Sequence, residues 1–155
     1  MSRLLVGIRL IYKRRFERQI FKAMAADGDT FTLLTNEKIQ VKIRLHGIDC
    51  PENGQPFSKA AKDFLSALIF YKVVEVEKKD IDRYGRTIGI VSINGKNVNE
   101  AFLIAGLAWH YTYYDKNVTW SAFQNEAMKQ KAGLWSEPNP VAPWEWRRIK
   151  KASSI

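Results

Sequence analysis

Cysteine occurs once in the 155 residues, as Cys50, and histidine twice, as His46 and His110. A single thiol excludes an intramolecular disulfide and a multi-cysteine zinc site, so the fold has to be held by a packed core. Two histidines are too few for a histidine-rich metal site, and each is read as a strand residue or packing group. Long apolar runs are missing too, and none is sufficient to cross a bilayer. Arg9 interrupts the one apolar stretch near the start, "MSRLLVGIRLIYKRRF", so no working signal peptide is expected there. A basic amphipathic surface segment is the rival reading, and it keeps weak membrane-surface association open. No internal repeat or low-complexity run is visible.

What is present suits one domain with a real core: 46% of residues are hydrophobic, with five Trp, six Tyr and eight Phe. A monomer is the default. The formal net charge of +9 is placed unevenly. Arg3, Arg9, Lys13, Arg14, Arg15, Arg18 and Lys22 stand against Glu17 alone in the first 24 residues, and Arg147, Arg148, Lys150 and Lys151 stand against Glu145 at the end. The segment between is formally neutral. The excess that attracts polyanions therefore sits at the termini, where it costs the fold little.

The apolar pattern predicts strands over 19–26, 30–35 and 38–46, with Asp27-Gly28 and Asn36-Glu37 as the turns. Pro56 at a first helical position opens a helix running to about Phe70. Strands follow over 72–78 and 87–93, the second ending at Asn94-Gly95, the strongest short hairpin signal in the chain. Asn99 is read as the cap of a short helix stopped by Gly106, and a last helix spans roughly Trp120 to Ala132. The rest is a proline-broken tail that Trp144 and Trp146 fasten to the domain. The predicted fold is α+β, mainly β: a five-stranded barrel of the oligonucleotide-binding (OB) type packed against three helices. Its expected divisions are a basic N-terminal extension (1–18), the barrel domain (19–136) and a basic tail (137–155).

The chemistry is expected in loops at strand ends. If the first and third strands neighbour one another, Asp29 of "ADGDTF" and Asp49 of "GIDCPE" converge, and two carboxylates held together need a cation or proton between them. Carboxylates, a main-chain carbonyl and waters make a calcium-type oxygen site. Arg44 and Arg86 supply forked donors suited to phosphate, and Glu52 is free to polarise a water. These are the parts for phosphodiester cleavage: positive groups offset charge on the five-coordinate phosphorane while a base directs water in line. Asp27 is read as a turn residue. Tyr84 and the group Trp109, Tyr111, Tyr113 and Tyr114 could stack on bases or pack on the barrel.

"DGDTF", "IRLHGIDCPE", "DRYGR", "VNEA" with "GLAW", "GLW" and "PWEWRR" occur in the order seen in the staphylococcal nuclease family, and from about Ile20 to Arg148 the chain resembles its thermonuclease-like bacterial members. The resemblance implies a barrel of five strands with three helices, and calcium-dependent endonucleolysis of DNA and RNA that cuts the bond to the 5′ oxygen and leaves 3′-phosphate ends. It further implies Asp29 and Asp49 as Ca²⁺ ligands, with the main-chain carbonyl of Cys50 as a third. Glu52 matches the general base or organiser of the water network. Arg44 and Arg86 match the phosphate-binding arginines.

Two departures stand out. The loop "NGQPF" is shorter than in the prototype, and the lysine-rich loop before "DRYGR" is reduced to "KKDIDRYGR", where Lys78, Lys79 and Arg83 keep some positive charge. Arg83 and Tyr84 are accordingly the candidate substrate contacts. Family members are commonly secreted or envelope-bound, which this start does not support. The alternative function is a non-catalytic OB-fold module that binds nucleic acid without cutting it.

Overall fold

The computed structural model describes residues 8–12, 15–19, 22–34, 38–72 and 74–154, of which those before Ala25 are described by backbone alone. In chain order, β1 (Ile8–Tyr12) and β2 (Arg15–Gln19) form a hairpin, and β3 (Lys22–Ala25), β4 (Thr30–Leu34) and β5 (Gln40–Leu45) form a meander. The two-residue β6 (Ile48–Asp49) leads to helix α1 (Ser58–Ile69), then β7 (Val74–Ile81), β8 (Thr87–Ile93) and the short β9 (Lys96–Asn97). Helix α2 (Val98–Ile104), β10 (Trp109–His110), α3 (Val118–Lys129), a 3-10 turn (Gly133–Ser136) and α4 (Pro143–Ser153) complete the order.

The fold is α+β around a mixed sheet. The five expected strands are β3, β4, β5, β8 and β7, and the described sheet runs β2-β1-β7-β8-β5-β4-β3, with β9 paired to β8. The pairs β5/β8 and β1/β7 are parallel and the others antiparallel. Among the described residues no ladder joins β3 to the far end of the sheet.

Alternation explains the register. In β4, Phe31 and Leu33 are completely buried, and in β8 Thr87, Gly89, Val91 and Ile93 face inward, as a period of two requires. Asn94 and Gly95 take φ of 50° and 77°, the left-handed pair that a two-residue hairpin needs. Helix α1 lays Ala61, Leu65 and Ile69, four apart, on the core, while Phe64 meets Phe102 edge-on at 4.9 Å. Each such buried aliphatic or aromatic side chain contributes roughly 1.5–3 kcal/mol.

Several local expectations need correction. The hairpin β1–β2 takes up most of the span read as a basic N-terminal extension (1–18) and ends one residue past it, at Gln19, and β1 covers an edge of β7. The strand predicted over 19–26 is seen as Lys22–Ala25, with residues 20–21 outside the described set. The predicted Asn36-Glu37 turn, and most of the amphipathic segment 1–16, also fall on positions or side chains outside it. β7 continues through the polar "KKDI" to Ile81, past the predicted end at 78, because its antiparallel ladder to β8 carries it across an irregularity between Lys78 and Asp80. Helix α1 does not begin at Pro56. The chain turns first at Gln55, which accepts from the Ser58 amide, and Phe57 takes a left-handed φ of 68° before the helix opens.

Asn99 is not the cap of α2. Asn97 is, its side-chain oxygen accepting from the Glu100 amide at 3.0 Å in an Asn-x-x-Glu arrangement that the sequence displays. Asn99 is instead buried, its amide donating to the carbonyls of His46 (2.9 Å) and Gly89 (3.3 Å) and accepting from the Val91 amide (3.0 Å). The tail carries a fourth helix, α4, because Pro143 stands at its start, where a missing N–H costs nothing.

Since Asn99 satisfies three main-chain groups in the interior, Asn99→Ala should cost about 2–4 kcal/mol. Urea denaturation measures it; a loss below about 0.5 kcal/mol would mean that water replaces the amide.

Candidate active site

The turn Ala26–Asp29 delivers the first acidic residues. The amides of Ala26 and Asp27 both donate to the Thr30 carbonyl, at 2.9 and 3.2 Å, which closes the turn at the start of β4. Gly28 is required by close approach: a Cβ there would lie 2.7 Å from that of Ala61 and 2.9 Å from that of Cys50. Thr30 then pairs with Arg44 in the β4–β5 ladder, and the Leu45 amide donates to the Asp29 carbonyl at 2.9 Å. A turn at His46-Gly47 leads into β6, which carries Asp49 opposite Trp109 of β10. Asp29 and Asp49 therefore do converge, but not by adjacency of the first and third strands of the meander. β4 lies between those two, and it is the start of β4 against the end of β5 that gathers the acids.

Arg44 binds them together. Its Nη2 lies 3.4 Å from Asp29 Oδ2 and 3.2 Å from Asp49 Oδ1, while Nη1 donates to the carbonyls of Leu45 (2.7 Å) and Ile48 (2.9 Å). Burial pulls this guanidinium down, yet Asp29 and Asp49 outweigh it and leave its pKa raised. Burial pushes the Asp49 carboxyl up to about 6 in spite of Arg147 and Arg44, with Asp29 adding to the rise. Asp29 Oδ2 also accepts from the Cys50 amide at 2.9 Å, and Oδ1 from the Thr30 hydroxyl at 3.3 Å. The Cys50 thiol is buried, and that burial, followed by Asp29 beside it, holds its pKa far above the usual range. It is a packing group, not a nucleophile.

Arg86 reaches the cluster from the β7–β8 loop. Asp82 Oδ1 accepts from the amides of Tyr84 (2.9 Å) and Arg86 (3.0 Å), and Oδ2 from Arg86 Nε at 2.6 Å. Desolvation works against the Asp82 carboxylate, but the bonds from Arg86 outweigh it and hold the pKa below the usual range. Arg86 Nη1 points at Thr30 Oγ1, 3.5 Å away, and so lies one hydroxyl from Asp29. Arg83 and Tyr84 occupy the exposed loop tip, paired through Nη2 and Oη at 2.7 Å, with both Arg83 and Arg86 over the Tyr84 ring at 4.9 and 5.6 Å. They flank Arg86, and among the described contacts neither bonds Asp29, Asp49 or Glu52.

Glu52 joins from the other side. Its amide donates to Gln55 Oε1 at 2.7 Å, and its Oε1 meets Arg147 Nη1 at 2.5 Å. The same guanidinium forks onto Asp49, at 2.8 Å to Oδ2 and 3.3 Å to Oδ1. Asp27 stands at the cluster's edge, where desolvation, then Asp29 and Glu52, raise its pKa. Four carboxylates thus share the space with Arg44, Arg86 and Arg147. Among the described residues no three His, Cys, Asp or Glu side chains form a ready cage, so a cation held by Asp29 and Asp49 would complete its shell from main-chain oxygen and water. Two carboxylates with main-chain oxygen and water make an all-oxygen set, which suits a hard divalent ion.

A family model, "Staphylococcal nuclease homologue", matches residues 42–137. The chain belongs to the staphylococcal nuclease family. A micrococcal nuclease of Shigella flexneri is 40% identical over 136 residues, covering 81% of this chain and 78% of that protein. An uncharacterized endonuclease of Escherichia coli O157:H7 is 42% identical over 125 residues, 80% of this chain and 81% of that one. The staphylococcal-like nuclease CAN1 of Arabidopsis thaliana is 41% identical over 138 residues, and there the match spans 87% of this chain but 43% of the plant protein.

Sequence reasoning missed Arg147, which it counted only as terminal charge although it lies in the family motif "PWEWRR". His110 is a buried strand residue, as expected, but the tie between both histidines and Asp115 was not foreseen. His46 Nε2 and His110 Nε2 both meet Asp115, at 3.1 and 2.9 Å, and His110 Nδ1 meets Ser121 Oγ at 2.9 Å. This Ser, His and Asp grouping is no hydrolytic triad, since the His110 side chain is wholly enclosed. It ties the turn after β5 to α3. Trp144 does fasten the tail: it stacks on Tyr111 at 4.7 Å and meets Trp109 edge-on at 5.6 Å.

Desolvation opposes the Asp115 charge, but bonds from His110, the Asn117 amide and His46 hold its pKa below the usual carboxylate range. A lowered native pKa contributes stability that is present above the unfolded value near 3.9 and is lost as pH falls through the native value. Asp115→Asn should therefore be less stable at pH 7, and its deficit should narrow towards about pH 3. Urea midpoints across that range measure the gap; a gap constant with pH would remove the charge from the account.

Proposed function

We propose that the protein is a calcium-dependent endonuclease that hydrolyses phosphodiester bonds of DNA and RNA and leaves 3′-phosphate ends. The observation that carries this reading is the unbroken chain of contacts Arg86, Thr30, Asp29, Arg44, Asp49, Arg147 and Glu52, along which carboxylates and guanidinium groups alternate. Nuclease names on relatives matched along most of their length support it.

In this reading Asp29, Asp49 and the Cys50 main-chain carbonyl would hold Ca²⁺, which would supply positive charge against the scissile phosphate and the phosphorane-like transition state. Glu52, partly open to solvent, takes a proton from the attacking water or orders the waters that do so. Arg44, already held between the two aspartates, presents a fixed guanidinium to the phosphate, and Arg86 offers its Nη atoms while Asp82 fixes its Nε. Pre-fixing Arg86 in this way lowers the ordering cost on binding. Arg83 and Tyr84 extend the basic and aromatic surface along the strand, where an exposed ring can stack on a base. The five central strands close as an OB-type barrel, and the domain spans 19–136, with the tail 137–155 packed against it. The enzyme acts as a monomer.

Digestion of plasmid and single-stranded DNA and of RNA, with calcium, magnesium or chelator, tests this. Cutting is expected with calcium, with Glu52→Gln and Arg86→Ala slower by about 10²–10⁴ while the fold is retained. Undiminished cutting in chelator would remove the cation. Retained binding without cutting under every condition would turn the reading to a non-catalytic nucleic-acid-binding module.

A further inference from the structure

Arg147 lies 98 residues from Asp49 in sequence, and its guanidinium forks onto that carboxylate at 2.8 and 3.3 Å. Asp49 is almost sealed, with 2% of its side chain exposed, whereas Arg147 keeps 43%. The outward oxygens of a buried acid are thus covered by a cation delivered on an exposed arm. A second bond from the same guanidinium holds Glu52 Oε1. The arm itself is anchored twice more: Gln55 Nε2, beside Glu52, donates to the Val141 carbonyl at 2.9 Å, and Trp144 stacks on Tyr111 just beyond β10. Helix α4 is therefore tied to the acid-bearing loop 49–55 at both its own start and its first turns.

We propose that Arg147 is a positioning residue that occupies the cation's place on Asp49, so that divalent-ion binding at Asp29 and Asp49 exchanges the guanidinium off Asp49 and loosens the first turns of α4. The inference rests on the cation reading given above. Both groups draw on the same two oxygens: Arg44 already engages Oδ1 from within, Arg147 engages both from outside, and a hard ion at about 2.3–2.6 Å from a carboxylate oxygen competes with the fork for them. An ion must then pay for breaking this pair, and its apparent affinity falls by the fraction of molecules in which Arg147 has let go. In the metal-free protein the pair also keeps Asp49 and Glu52 from repelling one another. Freed from Asp49, the guanidinium stays next to Glu52 and facing solvent, where an anionic substrate approaches.

The test is calcium binding by titration calorimetry to the full chain and to Arg147→Gln, Arg147→Lys and Asp49→Asn. If the released form is about a tenth of the population, Arg147→Gln should bind calcium roughly tenfold more tightly. Arg147→Lys should also bind more tightly, because lysine keeps the charge but not the fork; an unchanged affinity in Lys with a gain in Gln would reduce Arg147 to through-space repulsion and overturn the exchange. Hydrogen exchange of the unsubstituted protein supplies the second readout. Calcium should speed exchange of the backbone amides at 144–150 at least several-fold, and an unchanged or slower rate there overturns the proposal even if the variants fold poorly. Asp49→Asn separates the two levels of argument: if it binds calcium as the parent does, the ion sits elsewhere and the cation reading itself fails.

Discussion

The Arg44 guanidinium is the constraint around which the rest is arranged. A permanently charged group this deep in a protein is tolerable only when paired and hydrogen-bonded, and Arg44 is both: two carboxylates meet Nη2 and two main-chain carbonyls accept from Nη1. Removing either aspartate would leave it under-compensated. Removing Arg44 would leave two buried carboxylates facing one another. The β4–β5 ladder, with Thr30 opposite Arg44, exists in a register that makes this pairing unavoidable, since a slip of one residue would turn Arg44 to the other face.

From that point the neighbouring elements take on their purposes. β6 is two residues long because its task is to hand Asp49 to the site and pair once with β10, which in turn gives Trp109 and Tyr111 to the packing of α4. The β7–β8 loop is stiffened from within by Asp82, so that Arg86 arrives oriented instead of searching. On the opposite side of the turn after β5, Asp115 gathers both histidines and fixes α3. The histidines serve the scaffold of the site and stay out of its chemistry.

How much of this could be read in the sequence follows the range of the interactions. Period-two runs and Asn94-Gly95 are local signals, and the strands and turn they predict are present because nothing distant overrides them. Asn97 against Asn99 was decidable in principle, since only Asn97 has an acidic residue three places on, at Glu100. Asp29, Arg44 and Asp49 were legible as a group because all three lie within 21 residues around the β4–β5 hairpin, whereas the pairing of Asp49 on β6 with the distant β10 was not. Asn99's bonds to three distant main-chain groups, the β1 cover on β7 and the reach of Arg147 across the molecule leave no periodic trace, since each is fixed by tertiary packing alone.

The balance of charge within the cluster gives the tail its meaning. Asp27, Asp29, Asp49 and Glu52 face Arg44, Arg86 and Arg147, and in the ligand-free protein each guanidinium is spent on a carboxylate: Arg44 on two, Arg147 on two, Arg86 on Asp82 outside the group. An incoming phosphate competes for those same guanidinium groups, and whatever it wins leaves carboxylates exposed to one another in a poorly solvated space. On the proposed reading, an anion alone would raise the repulsion within such a site, and a cation alone would release an arginine. Taking both together restores the balance with every charge opposed. The basic helix that carries Arg147 thus reaches into the acidic cluster, although its charge, seen in sequence, looks like that of any solvated terminus.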